Sequence, residues 1–102
     1  MIYTRQKDNY HILYFRDTDS ISHFNTDKLE DELIHLIRLP GPYVILDLNG
    51  INHIDHEGFK VISSAIDLAR RKGKMIYLYN VSLDLIKLID SQRSDKIIDF
   101  LE

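Results

Sequence analysis

Between the breaker Leu39-Pro40-Gly41-Pro42 and a polar stretch beginning at Asn49 lies Tyr43-Val44-Ile45-Leu46-Asp47-Leu48, apolar almost without alternation. The run is too short for a buried helix and lacks the period-two pattern of a half-exposed strand. It therefore reads as a strand buried on both faces. A strand of that kind implies a parallel sheet covered by helices, because parallel neighbours must be joined by crossovers that lie on the sheet.

The rest of the chain supplies the pieces such a sheet needs. Met75-Ile76-Tyr77-Leu78-Tyr79 is a second buried strand. Before the central strand, Leu29, Leu33, Leu36 and Ile37 recur at the spacing of one helical face from about Thr26 onward. Asn25 or Thr26 is placed to accept the free amides at that helix's start, and Asp27, Glu30 and Asp31 suit the positive end of its dipole. A second helix runs from the Asn49–Gly58 connection to about Lys72, with Phe59, Ile62, Ala65, Ile66 and Ala69 as its apolar stripe. Arg70, Arg71 and Lys72 sit at its negative end and Gly73 offers a left-handed cap, which accounts for the only basic run without a nucleic-acid patch. Ser82 or Asn80 starts a third, shorter helix with Leu85, Ile86, Leu88 and Ile89 inward. The tail Lys96-Ile97-Ile98-Asp99-Phe100 has the composition of a last short strand.

At the other end, Ile2-Tyr3-Thr4 and Tyr10-His11-Ile12-Leu13-Tyr14-Phe15 flank the turn Lys7-Asp8-Asn9, a β-hairpin pattern. Asp17-Thr18-Asp19-Ser20 then ends the strand signal. The predicted order is hairpin, helix, strand, helix, strand, helix, short strand. This is one α/β domain over residues 1–102, with a mixed four- to five-stranded sheet flanked by helices. The core should include Val44, Leu46, Ile62, Ile66, Ala69, Ile76 and Leu78.

At 102 residues, 44% apolar and 28% charged, the chain has room for one core and not two. A net charge of −3 argues against nucleic acid, whose phosphates demand a clustered basic surface. Cysteine is absent, so disulfides and thiolate chemistry are excluded. No stretch approaches the roughly 18 apolar residues of a membrane-spanning helix, and the opening residues lack a signal-peptide core. The expectation is a cytoplasmic protein without direct membrane insertion. No functional weight falls on the terminal Leu101-Glu102.

Chemistry in open α/β sheets gathers where strand ends lead into helix N-termini. Here that place is Asn49-Gly50-Ile51-Asn52-His53-Ile54-Asp55-His56-Glu57-Gly58-Phe59, with four ionisable side chains in five residues. His53, Asp55, His56 and Glu57 are competent metal ligands. The spacing His-x-Asp-His is similar to the tail of a metallo-β-lactamase-type motif. That motif's first histidine would fall at Ile51, which cannot ligate, and no histidine follows His56. No specific metal and no other cofactor is expected. Acid–base or nucleophilic catalysis is weaker still. The loop holds no serine or threonine, and Gly50 and Gly58 do not make a phosphate cradle. The chain is expected not to be an enzyme.

A third reading rests on resemblance. Val44 to Phe59 resembles the signature of the STAS domain: a hydrophobic strand, Asp-Leu, a short connection, an apolar residue, then Asp-Ser-Ser-Gly-Leu or Asp-Ser-Thr-Gly-Leu opening a helix. Lys72 to Ser82 is similar to the family's next strand and turn, and the hairpin and first helix fit in length. The family includes bacterial anti-sigma-factor antagonists and the cytoplasmic tails of sulfate transporters. In the antagonists, the resemblance implies, a Ser or Thr before the motif glycine is phosphorylated by a kinase that is itself the anti-sigma factor. Phosphate at a helix N-terminus is tolerated by the dipole, yet it adds about −1.5 to −2 charges to a binding surface.

Asp55 and Gly58 keep this pattern and Phe59 replaces leucine, but His56 and Glu57 stand where the hydroxyl residues would be. The resemblance therefore implies a partner-binding surface at Asp55, His56, Glu57, Gly58 and Phe59 that does not undergo the usual phosphorylation. Glu57 is either a permanent partial mimic of the phosphorylated form or a plain helix-terminal residue. Ser63 and Ser64, buried or flanking, are poor replacements. The implied function is partner switching in transcription regulation. The implied partner is an anti-sigma-factor or histidine-kinase-like regulator. The alternative is an accessory subunit of a lipid or anion transporter, or a small-ligand-binding domain. His11, His23 and His35 are dispersed and read as structural or solvated.

Overall fold

The computed structural model describes residues 1–92 and 99–101. β1 (Ile2–Lys7) and β2 (Tyr10–Phe15) form the expected hairpin, antiparallel from Ile2↔Phe15 to Lys7↔Tyr10. Its two-residue turn places Asp8 at φ 53°, in the left-handed region that tight hairpin turns require. β4 (Tyr43–Asp47) pairs parallel with β2 on one side and with β6 (Met75–Tyr79) on the other. β7 (Asp99–Leu101) adds a parallel edge, so the sheet runs β1-β2-β4-β6-β7. Lys96, Ile97 and Ile98, assigned from sequence to the last strand, lie outside the described residues.

Three helices provide the crossovers: α1 (Thr26–Arg38), α2 (His56–Arg71) and α3 (Leu83–Gln92). Their apolar stripes meet one face of the sheet. Leu29, Leu33 and Ile37 of α1, Ile62, Ile66 and Ala69 of α2, and Leu85 and Ile89 of α3 share a core with Leu13, Val44, Leu46, Ile76 and Leu78. The sheet's other face differs from the sequence expectation. Ile45 is indeed buried, at 7% exposure, as is its register partner Ile12 at 8%. Yet neither belongs to the core that the helices share with the sheet. The second side of the central strand is covered by its own sheet's side chains, and among the described residues the helix layer lies on one side only.

The ends of α2 are built by different devices. At its C-terminus the amide of Gly73 bonds the Arg70 carbonyl and that of Lys74 bonds the Ala69 carbonyl, at 3.0 and 2.8 Å. With Gly73 at φ 73°, this is the left-handed glycine stop that the basic run and its glycine predicted. Ser82 also acts as expected, its Oγ accepting from the Leu85 amide at 3.2 Å. Asn25 does not. It occupies the position before α1 but makes no side-chain cap. Instead its Oδ1 accepts from the Ser22 amide and its Nδ2 donates to the Ser20 carbonyl, both at 3.0 Å. Buried among these groups, it shapes the turn entering α1.

A second, two-stranded sheet was not anticipated. β3 (Ser20–Ile21) pairs parallel with β5 (His53–Ile54), with Ser20 opposite His53 and Ile21 opposite Ile54. Ile21 and Ile54 are both buried. The Asn52 amide bonds the Asp19 carbonyl at 2.8 Å and the Asp55 amide bonds the Ile21 carbonyl at 2.9 Å. This small sheet fastens the segment that ends β2's connection to the segment that opens α2.

Candidate functional site at the start of helix α2

Asp55 is the residue on which this site is assembled. Its backbone is extended and α2 begins at the next residue, so the carboxylate stands over amides that have no partner within the helix. One oxygen accepts from the Gly58 amide at 2.8 Å. The other accepts from the amide of His23, 32 residues away in sequence, at 3.2 Å. The Nδ1 of the same histidine lies 4.0 Å from that second oxygen. A single side chain therefore caps the helix and pins the loop after β3 against it.

Gly58 explains itself by space. Its conformation is helical, so backbone freedom is not the reason for glycine. A Cβ built there would fall 2.7 Å from Cγ2 of Ile21, 2.9 Å from the Ile21 carbonyl oxygen and 3.0 Å from Cγ2 of Ile54. The first turn of α2 rests directly on the two-stranded sheet, and only a residue without a side chain lets it do so. Phe59 is partly buried and packs against the core. Asp55, Gly58 and Phe59 are thus directed inward, to hold the turn in place.

His56 and Glu57 are exposed, in the first and second helical positions. Glu57 carries a negative charge where the helix dipole favours one, a contribution of about 0.3–1 kcal/mol. His53 is exposed on β5. The four residues weighed as ligands do not converge: among the described residues no group of three histidine or acidic side chains is arranged to hold a metal ion. Of the two serines further along the helix, Ser63 is buried with its hydroxyl unpartnered and Ser64 is exposed. Ser64 is seven residues beyond Glu57, about 10 Å up the helix axis, and belongs to another part of the surface.

Two residues join the site that no sequence pattern assigned to it. His23, read as a dispersed histidine, is carried to Asp55 by the β3–β5 pairing. Phe24 packs against His23 with ring centroids 4.0 Å apart and the ring planes tilted by 36°, and it is 86% exposed. The Phe24 ring stands in water near the start of α2 and takes no part in the core. Nothing in the local sequence separates Phe24 from a core phenylalanine. Only the long-range pairing of β3 with β5 reveals its place.

The fold recurs in solved structures of low sequence identity. The anti-sigma factor antagonist SpoIIAA in its unphosphorylated form superposes with a TM-score of 0.77 at 9% identity, covering 100% of this chain and 88% of that one. A serine-to-glutamate variant of RsbS from Moorella thermoacetica gives 0.77 at 17% identity over 98% and 85%. A murine anion transporter, Solute Carrier 26 family member A9 in its inward-facing state, gives 0.69 at 17% identity. There the match covers 85% of this chain, which spans only 14% of the transporter. A search of curated proteins by sequence finds no match. The STAS domain profile matches residues 3–101, so the expected signature extends through almost every element described above. The chain belongs to the STAS domain family.

Proposed function

We propose that this chain is a non-catalytic regulatory module that binds a protein partner through the outward side of the first turn of α2, in the manner of an anti-sigma-factor antagonist. The observation that carries the proposal is the division of labour at Asp55–Phe59. Three residues lock the turn to the scaffold, which leaves His56 and Glu57 facing solvent beside the exposed ring of Phe24. Exposed charges and an exposed aromatic at one rigid helix start have the composition of a protein contact, where aromatic anchors carry much of the affinity and charges select the partner.

Glu57 stands at the position that the family's antagonists use for the phosphorylated Ser or Thr. It has no hydroxyl, so the partner would read a constant single charge where those relatives alternate between none and nearly two. The partner class is an anti-sigma-factor or histidine-kinase-like regulator. A domain of this fold also occurs within the anion transporter named above, which makes a transporter the competing partner class. Affinity capture from the native host with the intact chain separates them. Recovery of a kinase-like regulator, lost on mutation of Phe24 to Ala, supports the proposal. Recovery of a transporter subunit through the same surface would replace it.

A further inference from the structure

All six tyrosines of this chain lie on one face of the main sheet. Strand alternation and the observed register put Tyr3 on β1, Tyr10 and Tyr14 on β2, Tyr43 on β4, and Tyr77 and Tyr79 on β6 on the side away from the helices. Their rings are already organised. Tyr3 stacks on Tyr14 at 5.6 Å and Tyr10 on Tyr43 at 4.9 Å, and Tyr43 meets Tyr77 edge to face at 5.5 Å. The guanidinium of Arg5 lies 5.7 Å from the Tyr14 ring, and that of Arg16 lies 5.8 and 5.7 Å from those of Tyr3 and Tyr14.

Between the aromatic groups runs a trough of about 350 Å³ with Ile12 and Ile45 in its lining, Tyr10 and Tyr79 beside them, and Arg5 and Lys7 among its charged residues. Asp47 is the carboxylate at this trough. Its Oδ1 already accepts from the Asn49 amide at 3.0 Å and from Asn80 Nδ2 at 3.1 Å. Arg5, Lys7 and, beside the trough, Arg16 thus present three cations on this face, against Asp47 and, at the register position opposite Tyr77 on the edge strand, Asp99, in a chain whose net charge is −3.

We propose that this open face is a second protein-binding surface, separate from the start of α2, and that it takes an acidic segment of a partner carrying one apolar or aromatic anchor. Tyrosine and arginine are enriched at protein contacts because they bring large area, a polar tip and few rotatable bonds. Rings that already stack on one another lose little freedom on binding. The trough receives the anchor side chain over Ile12 and Ile45, while flanking carboxylates meet Arg5, Lys7 and Arg16. Because the surface lies on the far side of the sheet from the helices, the domain is able to hold two partners at once.

The chain contains no tryptophan, so its intrinsic ultraviolet fluorescence arises from this face alone. The test is a titration of the intact protein with a synthetic peptide of alternating Glu and Asp around one Phe, with a Lys-for-acid peptide as counterpart. The expected result is a saturable change in tyrosine emission with the acidic peptide only, weakened about tenfold by the double variant Arg5→Glu/Lys7→Glu. Lys87→Glu, which removes a cation on α3, should leave it unchanged. Glu57→Ser should leave it unchanged too, so this surface and the α2 surface succeed or fail separately. Absence of any change, an equal response to the Lys peptide, or a response that survives the double reversal would overturn the proposal. So would a concentration-dependent dimer in sedimentation that alone produces the emission change, since that assigns the face to a second copy.

Discussion

The first turn of α2 has two sides that follow different rules. On the inner side Asp55, Gly58 and Phe59 are each determined by a neighbour: a free amide, a methyl group that any Cβ would strike, and the core. On the outer side His56 and Glu57 touch solvent, and the fold would accept many residues there. On the inner side Asp55 and Gly58 keep the family pattern and Phe59 replaces leucine with another large apolar residue, whereas on the outer side His56 and Glu57 change the class of residue. Scaffold and specificity are therefore separable in a segment of five residues, and substitutions should separate them experimentally.

The largest effect should come from filling the space under the helix with a branched side chain, Gly58→Val, and the alanine variant is the milder form of the same test. Gly58→Ala gains up to about 1 kcal/mol of helix propensity, but its methyl group must displace Ile21 and Ile54, at a cost of roughly 1–3 kcal/mol. Urea denaturation should show net destabilisation, and Gly58→Val should be worse. A neutral or stabilised Gly58→Ala protein would mean that the two-stranded sheet yields freely and that the inner side is not determined by packing.

Removing the cap comes next. Asp55→Ala deletes the bonds to both the Gly58 and His23 amides and should cost about 1–2 kcal/mol. Asp55→Asn, still a good helix starter, should recover most of that loss. Amide exchange offers a sharper reading. In the alanine variant the His23 amide should lose protection together with that of Gly58, although 32 residues separate His23 from Asp55. If only Gly58 is affected, the loop after β3 is held by other contacts and the site is less unified than its geometry implies.

Much of the inner scaffold was legible because it rests on period and punctuation. The helix of Leu29, Leu33, Leu36 and Ile37, the strands beginning at Tyr43 and Met75, and the stop at Gly73 each carry a local signal, and the structure places them as that signal predicts. Ser20–Ile21 and His53–Ile54 carry none, since two residues display no period and their pairing spans more than 30 positions. With that pairing hidden, the approach of His23 to Asp55 and the placement of Phe24 were hidden too. The uncovered face of the sheet was misread for a related reason. In Tyr43–Leu48 a half-polar tyrosine and a buried isoleucine alternate on one side, so the run looks uniformly apolar although the cover on that side is a layer of tyrosines. For the site, Asp55 and Gly58 were recognisable through the family signature, but the reason for Gly58 became physical only with Ile21 and Ile54 in place.

The outer side should barely register in stability. His56→Ala should fall within about 0.5 kcal/mol of the wild type by thermal denaturation, as exposed helix positions do. A larger loss would give His56 a structural role and move it to the inner set.

Glu57 tests the whole division, because its effect should be small on folding and large on binding. Glu57→Ser removes a charge worth about 0.3–1 kcal/mol to the helix start, partly offset by serine's aptitude there. Glu57→Gln removes the charge and keeps the shape. The deciding measurement is titration calorimetry, at physiological salt, of the wild type and these two variants against the kinase-like partner recovered from the host. Tighter binding by both variants, with unfolding midpoints close to that of the wild type, is the predicted result. Equal affinities for all three proteins would contradict it and reduce Glu57 to a helix-terminal residue, and a marked loss of binding in both variants would show that the partner attracts the charge it was expected to resist.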